Sequence, residues 1–315
     1  MKIGIVGSGA MGSVYGALLA AAGNELWLFD QWRDHVEAMR AKGLRCTGAS
    51  GDRVVPVNAT ADAAAAGPCE LVVVATKVMQ IEDAVRAAAP MIAPETLVLT
   101  IQNGLGNVER IQRVLGPENL LFGIAGGFGA EMRAPGHVHH NGMEAINLAE
   151  LRGGLTARLE RVAEVWRAAG FKVATFDDLW PVVWSKLIAN VAFSAICTVT
   201  GMRVGQVRSN AAAWAVACAC IAEAAAVARA KGVRLAYDDP VQWVSDFASK
   251  IPDARPSMYQ DLLAGRRSEI DAIQGGVVAE GRKLGVPTPT CALMVQLVKA
   301  LEAKHQAHGD AYRAL

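Results

Sequence analysis

Three polar residues lie four positions apart in a stretch of the chain that is otherwise apolar. They are Lys186, Asn190 and Ser194, and their neighbours from 182 to 196 are mostly Val, Ile, Leu, Ala, Phe and Trp. Residues four apart share one face of an α-helix, so the pattern predicts an apolar helix with a single polar stripe. Burying an isolated ammonium group is costly. The stripe is therefore expected either to meet water or to face a cleft where an ammonium group does chemistry.

A second group of polar residues occurs in RPSMYQDLLAGRRSEIDAIQGG, residues 255–276. Ser257 follows a proline and is predicted to begin a helix as its N-cap. Asp261 and Glu269 are eight positions apart and would share a face if one helix carried both. Two interpretations of Glu269 stay open. It pairs with Arg266 or Arg267 on a solvated face, or it faces the same cleft as the lysine.

The run KIGIV leads directly into GSGAMG, a Gly-x-Gly-x-x-Gly sequence in a strand–turn–helix context. Gly7 would permit the tight turn, Gly9 would let a pyrophosphate approach the backbone, and Gly12 would let helix and strand pack closely. The helix N-terminus adds free N–H groups and a partial positive charge for phosphates. This pattern favours a dinucleotide site over a simple glycine turn. Its expected cofactor-binding residues are Gly7, Ser8, Gly9, Ala10, Met11 and Gly12.

The end of the second predicted strand, ELWLFD, bears on which dinucleotide binds. A carboxylate in the position of Asp30 usually bonds the ribose hydroxyls of NAD and repels a 2′-phosphate. Asp30 and Gln31 therefore favour NADH over NADPH, although Arg33 could reach a 2′-phosphate if the loop turned that way. In the alternative interpretation, Asp30 merely caps the next helix.

Two further polar residues follow predicted strands. Lys77 comes after the run in VVVATKVMQ, and Asn103 comes after the run in TIQNGLG. Ligands of parallel α/β sheets bind outside the carboxyl ends of the strands. We therefore expect both side chains at the cofactor cleft rather than in plain surface loops.

A nicotinamide cofactor implies a reaction in which a carbonyl carbon accepts a hydride and its oxygen needs a proton. Lys186 is the better general acid, since it can donate a proton and stabilise the forming alkoxide. Glu269 could hold that lysine in place or bind the product hydroxyl. The histidines are weaker candidates, and no metal site is expected. Three lie in a turn-rich segment that indicates a strand edge, and three on charged helices or in the tail: His137, His139 and His140, then His35, His305 and His308.

The elements that must position these residues change in type along the chain. Up to residue 176, short apolar runs alternate with helical patterns: KIGIV, ELWLFD, ELVVVAT, TLVLTIQ and LLFGIAGG. This alternation predicts a Rossmann-type, doubly wound parallel sheet. Residues 130–148 are predicted to form further strand pieces and turns. From Trp180 onward, almost only helical periodicity occurs. The predicted fold class is α/β, with a dinucleotide-binding domain at 1–176 and an all-helical substrate and catalytic domain at 177–315.

The composition excludes several classes of protein. The chain has 315 residues with 31 basic and 30 acidic side chains, so it offers no basic face for nucleic acid and no polybasic membrane anchor. Its six scattered cysteines show no disulfide framework and predict reduced thiols in a cytoplasmic protein. The start of the chain lacks a cleavage pattern, so no signal peptide is expected. The alanine-rich window 211–230 contains Glu223 and favours a core helix over a membrane span. An exposed apolar face there would indicate a homodimer.

Taken together, these segments resemble the ketopantoate reductases (2-dehydropantoate 2-reductases) along nearly the whole chain. The matching segments are KIGIVGSGAMGSVYG, VVVATKVMQ, IQNGLGN, PGHVHHNG, WSKLIANVAFSAI and SMYQDLLAGRRSEIDAIQGGVV. The resemblance implies a Rossmann domain, a C-terminal helical domain and an active site between them. It also implies NAD(P)H-dependent reduction of a small 2-keto acid, 2-ketopantoate, to D-pantoate for pantothenate and coenzyme A synthesis.

The resemblance assigns roles to individual residues. Lys186 matches the lysine that protonates the ketone oxygen, and Glu269 matches the carboxylate that holds the substrate hydroxyl and organises the lysine. The other matched positions are Asn190 and Ser257 for the substrate, Asn103 for nicotinamide and substrate, Lys77 for the cofactor cleft, and the three glycines for the pyrophosphate.

Two departures from the family pattern matter. Ser194 stands where the family often has a second substrate-side asparagine, and Gln31 stands where many NADPH-using members have arginine. Both point toward relatives that are NAD-dependent D-2-hydroxyacid dehydrogenases, D-mandelate dehydrogenase among them. β-Hydroxyacid dehydrogenases also pair a similar glycine loop with a lysine and an asparagine, but their glycine-rich approach to the lysine is absent from PVVWSK. A nucleotide-binding regulator would leave Lys186 and Glu269 without a role.

Overall fold

The computed structural model describes residues 1–127, 129–142 and 145–308. Two predicted segments, the strand pieces of 130–148 and the domain 177–315, extend in part over residues outside this range. The strands are β1 Lys2–Val6, β2 Glu25–Phe29, β3 Leu44–Gly48, β4 Arg53–Val55, β5 Asn58–Thr60, β6 Leu71–Val74, β7 Leu97–Thr100, β8 Leu120–Gly126, β9 Gly129–Ala134, β10 His137–Gly142, β11 Ala145–Glu150 and β12 Val173–Phe176. The helices are α1 Ala10–Ala21, α2 Arg33–Lys42, α3 Ile81–Ala87, α4 Asn107–Leu115, α5 Ala157–Ala168, α6 Trp180–Thr200, α7 Val204–Ser209, α8 Ala211–Ala230, α9 Pro240–Lys250, α10 Ser257–Leu263, α11 Gln274–Leu284 and α12 Pro289–His308.

Eight strands form one sheet in the order β12-β11-β8-β7-β6-β1-β2-β5. The run from β8 to β5 is parallel throughout. β11 pairs with β8 in the antiparallel direction, and β12 runs parallel to β11. Strands β6 and β7 are buried at every position, as strands covered on both faces should be. The predicted α/β class is confirmed, and the sheet is mixed because its last two strands are reversed.

The strand order reverses beside β1, since the chain first adds β2 on one side and later adds β6 on the other. A reversal of this kind opens a crevice at the carboxyl ends of the two strands around it. The GSGAMG loop follows β1, and Lys77 follows β6. The topology therefore places both predicted cofactor segments at the switch point.

A second sheet forms in the order β4-β3-β10-β9. Its strands β9 and β10 fall in the segment predicted to form strand pieces and turns, whereas β3 and β4 have no counterpart among the predicted elements. β10 carries His137, His139 and His140 and lies between β3 and β9. The prediction of a strand edge for these histidines is therefore wrong, because β10 is paired on both sides. β9 directly precedes β10 in the chain and forms a hairpin with it. The other partner, β3, is distant in the sequence, and no local pattern indicates that pairing.

The helices from α6 onward pack around an apolar core that includes Trp184, Ile188 and Ile221. α6 and α8 are each long and apolar enough to cross a membrane by length and composition alone. Core helices of soluble proteins pass the same test, and 72% of the most apolar window of α6 is buried inside the protein. The corresponding window of α8 is 44% buried, so this helix also presents apolar surface.

Internal contacts divide the chain into two compact units. The sheet unit comprises Met1–Gln102 and Asn107–Leu179, and the helical unit comprises Asn103–Gly106 together with the chain from Trp180 onward. The four-residue loop after β7 thus belongs to the helical unit, although the chain on both sides of it belongs to the sheet unit. The sequence patterns gave no indication of this assignment.

Candidate active site

The glycine loop has the geometry of a phosphate-binding turn. Gly7 has a φ of +89° and donates its N–H to the carbonyl of Phe29 at 2.9 Å. A Cβ at Gly12 would lie 2.0 Å from the carbonyl oxygen of Gly7, so only glycine lets α1 pack this closely against the turn. α1 begins at Ala10, and its N-cap Gly9 has no side chain to bond the first-turn N–H groups. Those N–H groups are therefore available to an anion.

The surroundings of this loop fit the pyrophosphate of a dinucleotide. A Cβ at Gly9 would meet no heavy atom within 4 Å, so open space lies beside the backbone there. Thr76, which follows β6, lies against Gly7, with its backbone nitrogen 2.9 Å from the position of a Cβ at that glycine. The Thr76 hydroxyl is buried and has no hydrogen-bond partner among the described residues. Sequence reasoning missed Thr76, although its position directly before Lys77, at the end of a predicted strand, could have indicated it.

Asp30 is held by the glycine loop itself. Its Oδ2 accepts hydrogen bonds from the Ser8 N–H at 2.7 Å and from the Ser8 hydroxyl at 3.2 Å, and its Oδ1 accepts from the Trp32 N–H at 2.9 Å. The N-cap residue of α2 is Trp32, so the alternative in which Asp30 caps that helix is wrong. A carboxylate has about four acceptor positions, which leaves one for a ribose hydroxyl. Gln31 and Arg33, the other residues considered for cofactor choice, are exposed.

His35 stabilises the same loop by hydrogen bonding to its backbone. It lies on the charged helix α2, as predicted, and its side chain is fully buried. Its Nδ1 accepts from the Gly136 N–H at 2.8 Å, so the proton is on Nε2, which donates to the Ser8 carbonyl at 2.9 Å. The Ser13 hydroxyl donates to the same carbonyl at 2.6 Å. Burial lowers the pKa of His35, which favours the neutral imidazole that this arrangement requires.

Lys77 and Asn103, the two residues predicted at strand ends, belong to different units. Lys77 is half-buried and lies directly before the short 3-10 helix Val78–Gln80 in the sheet unit. Asn103 is half-buried in the loop Asn103–Gly106 of the helical unit. Asn103 is therefore in the same unit as Lys186 and Glu269.

The polar stripe lies on α6, as the four-residue spacing predicts. Lys186 and Asn190 are half-buried, and Ser194 is only 3% exposed. Burial lowers the pKa of Lys186 to about 8, and the Glu269 carboxylate acts in the opposite direction. A lysine with a pKa near neutral holds its proton at physiological pH and can also release it, as a general acid must.

Glu269 is buried, with 6% of its surface exposed, in the turn between α10 and α11. Asp261 lies on α10, which ends at Leu263, so the expectation that one helix face carries both carboxylates is wrong. The two neighbouring arginines bond other groups. Arg266 donates to Asp261 at 3.0 Å, and Arg267 donates to Asp271 at 3.1 Å. The Glu269 side chain is buried, and its charge raises the pKa of Lys186.

Ser257 is exposed and is the first residue of α10. The N-cap position belongs to Pro256, which has an extended ψ of 151°, and no side chain bonds the helix end. The prediction of Ser257 as N-cap is therefore wrong by one position. Its hydroxyl is free of that capping role.

Gln274, which begins α11, links the Glu269 turn to α6. It is fully buried, and its Nε2 donates to the Val191 carbonyl at 3.1 Å, next to Asn190. Its Oε1 is buried without a hydrogen-bond partner among the described residues. Sequence reasoning missed Gln274, since a glutamine before two glycines carries no signal of its own. Across the described residues, no three His, Cys, Asp or Glu side chains gather in a group that could hold a metal.

Comparisons with known proteins agree with these observations. The family model described as ketopantoate reductase PanE/ApbA matches residues 3–153, and the model of its C-terminal part matches residues 178–302. The 2-dehydropantoate 2-reductase of Streptococcus pyogenes serotype M3 is 31% identical over 309 residues, covering 96% of this chain and 98% of that protein.

Solved structures are similar over the same length. A PanE/ApbA family ketopantoate reductase from Ralstonia eutropha JMP134 superposes with a TM-score of 0.89 at 35% identity, covering 97% of this chain and 100% of the other. A D-mandelate dehydrogenase bound to NADH and anilino(oxo)acetate gives a TM-score of 0.89 at 28% identity, with coverages of 97% and 100%. The chain therefore belongs to the ketopantoate reductase family and is an oxidoreductase that acts on the CH–OH group of a 2-hydroxy acid with a nicotinamide cofactor.

Proposed function

We propose that this protein is a 2-dehydropantoate 2-reductase, which reduces 2-ketopantoate to D-pantoate, with Lys186 as the general acid. The observation that carries the proposal is the pair formed by Lys186 and Glu269. A half-buried ammonium group with a pKa of about 8 lies under the influence of a buried carboxylate. A nucleotide-binding regulator has no use for such a pair, and family membership supports an enzyme.

The proposed mechanism assigns one task to each residue. A bound nicotinamide supplies the hydride that the carbonyl carbon of the 2-keto acid accepts. The Nζ of Lys186 gives its proton to the carbonyl oxygen as the C–H bond forms, and its charge stabilises the developing alkoxide. Glu269 accepts a hydrogen bond from the resulting hydroxyl, and water returns a proton to Lys186. The proposed substrate-binding residues are Asn103, Asn190, Ser194 and Ser257.

We propose NADH as the preferred cofactor. The negative charge of Asp30, fixed beside Ser8, would repel a 2′-phosphate, and the neutral Gln31 follows it. The loop residues 7–12 would bind the pyrophosphate, and Lys77 would line the cofactor cleft. The similarity to a dehydrogenase solved with NADH supports this choice, while family precedent favours NADPH.

A second candidate is an NAD-dependent D-2-hydroxyacid dehydrogenase that acts on another branched or aromatic 2-keto acid. Ser194 favours it, because a buried serine leaves more space on α6 than the asparagine common in the family. The similarity to D-mandelate dehydrogenase supports the same alternative.

Steady-state kinetics of the purified protein separate the candidates. Initial rates are measured with NADH and with NADPH, using 2-ketopantoate, 2-ketoisovalerate and phenylglyoxylate as substrates. The proposal expects the highest kcat/KM for 2-ketopantoate. A phenylglyoxylate value higher by orders of magnitude would replace it with the second candidate, and no reduction of any 2-keto acid would overturn both.

Domain roles, oligomeric state and location complete the proposal. We propose that residues 1–176 bind the dinucleotide and that residues 177–315 bind the substrate and supply the catalytic groups.

A homodimer through α8 is supported by its exposed small residues, among them Ala211, Ala215 and Ala222. Replacing Ala215 with glutamate should convert the dimer to a monomer in sedimentation analysis, and an unchanged mass would contradict that interface. A cytoplasmic location is supported by six cysteines that are all unpaired, and cell fractionation tests it.

A further inference from the structure

The loop Asn103–Gly106 is held at its base and at its tip. At the base, the Asn107 side chain donates to the Gln102 carbonyl at 3.2 Å, which closes the loop. At the tip, the Leu105 N–H donates to the carbonyl of Ala272 at 2.9 Å. This second bond joins the loop to the turn between α10 and α11. A loop of four residues with both attachments has little freedom to change its position.

Gly104 makes the close approach to Ala272 possible. It has a φ of +80°, and a Cβ there would lie 2.5 Å from the Ala272 carbonyl oxygen and 2.8 Å from its Cβ. Any side chain at residue 104 would therefore force the loop away from Ala272. Leu105 packs on the apolar core of the helical unit. Its Cβ would lie 3.1 Å from a Cβ at Gly276, so the loop also approaches the backbone of α11 closely.

The turn that receives this loop is the one that carries Glu269. The N–H groups of Ala272 and Ile273 both donate to the Glu269 carbonyl at 3.0 Å. Gln274, which follows them, bonds the carbonyl of Val191 on α6 at 3.1 Å. An unbroken series of short contacts thus leads from the Asn103 loop, through the Glu269 turn, to the helix that carries Lys186.

We propose that Gly104 and Leu105 are positioning residues, which fix Asn103 relative to Glu269 and Lys186 by anchoring its loop to the Ala272 carbonyl. The inference rests on the proposed function, in which Asn103 contacts the substrate and Lys186 protonates it. Displacing a positioning group by about 1 Å can reduce turnover about a hundredfold. Cofactor affinity depends mainly on the glycine loop, so the loss is expected in kcat rather than in the Kd of NADH.

The test compares substitutions at Gly104 and Gly116. Both glycines have a positive φ, but only at Gly104 would an added Cβ meet neighbouring atoms. Gly104→Ala introduces both an unfavourable positive φ and the clash with Ala272, whereas Gly104→Asn keeps the clash and relieves much of the φ strain. Gly116 has a φ of +76° and no heavy atom within 4 Å of a Cβ, so Gly116→Ala and Gly116→Asn are matched controls without a clash. Both Gly104 variants should lose kcat by about tenfold or more, with the Kd of NADH within about threefold of wild type. Both Gly116 variants should keep the wild-type kcat.

Hydrogen exchange provides a readout that does not depend on activity. The Leu105 amide should be protected in the wild type and exchange at the rate of an open loop in the Gly104 variants, while the Gly116 variants keep the protection. If the Gly104 variants do not fold, Leu105→Ala replaces them. It should lower kcat more than Leu293→Ala, which truncates a leucine that is 58% exposed on α12.

The outcomes separate this inference from the proposed function. An active wild type whose Gly104 variants match the Gly116 controls in kcat, or whose Leu105 amide exchanges freely, overturns the positioning role and leaves the reductase intact. A wild type that reduces no 2-keto acid overturns the proposed function. In that case, loss of Leu105 protection in the Gly104 variants still supports the anchor, and unchanged protection overturns it.

Discussion

The pKa of Lys186 predicts the pH at which catalysis begins to fail. Burial lowers this pKa from the ordinary 10.5 to about 8. Reduction needs the protonated lysine, so kcat/KM should be constant below pH 8 and fall above it. Each pH unit above the pKa removes roughly nine-tenths of the remaining acid form, so the loss at pH 10 is roughly a hundredfold. An ordinary lysine would keep the rate almost constant over the same range.

The substitution Glu269→Gln tests the cause of this pKa. The carboxylate raises the pKa of Lys186 against the effect of burial, so its removal should move the break in the pH profile to lower pH. Asp271→Asn is the control, because Asp271 is two positions away and bonds Arg267 and Lys299 instead. Initial rates of NADH oxidation, measured in buffers of constant ionic strength, give kcat/KM at each pH.

Two results would refute this reasoning. A wild-type profile without a break below pH 10 would mean that no desolvated lysine donates the proton. A break that moves to higher pH in Glu269→Gln, or that moves equally in Asp271→Asn, would mean that Glu269 does not act on Lys186 as described.

Three predictions concern the cofactor loop. Asp30→Ala should raise kcat/KM with NADPH relative to NADH, because a negative charge beside the 2′ position is lost, and an unchanged ratio would place 2′ selection elsewhere. Gly12→Ala should lower the thermal midpoint and weaken NADH binding at least about tenfold, because its Cβ would lie 2.0 Å from the Gly7 carbonyl oxygen, and wild-type affinity would contradict this packing. His35→Ala should cost about 1–3 kcal/mol of unfolding free energy in urea titration, because the buried Gly136 N–H loses its acceptor. A stability equal to that of wild type would show that the His35 bonds are not needed.

The parts of the site that depend on local pattern could be predicted from the sequence. The glycine loop is a continuous segment whose spacing meets the requirements of a strand–turn–helix unit, and the stripe on α6 follows from the four-residue period of a helix. The backbone conformation of each segment depends on residues that are only a few positions apart in the sequence.

The parts that depend on distant partners could not be predicted. The burial of His35 requires Gly136, which is 101 positions away, and Gln274 bonds a carbonyl on α6 that is 83 positions away. The placement of Asn103 in the helical unit depends on a backbone bond to Ala272, which no side-chain pattern encodes. The Ser257 cap failed for a different reason, because helix starts are uncertain by a residue or two even when the helix itself is clear.

The central claim is that Lys186 donates the proton during nicotinamide-dependent reduction. Single-turnover and steady-state rates of Lys186→Ala, with the preferred 2-keto acid and with a separate fluorescence titration of NADH, test it most directly. We expect kcat to fall by about 10²–10⁴-fold while the Kd of NADH stays within about threefold of wild type. A turnover equal to that of wild type would contradict it.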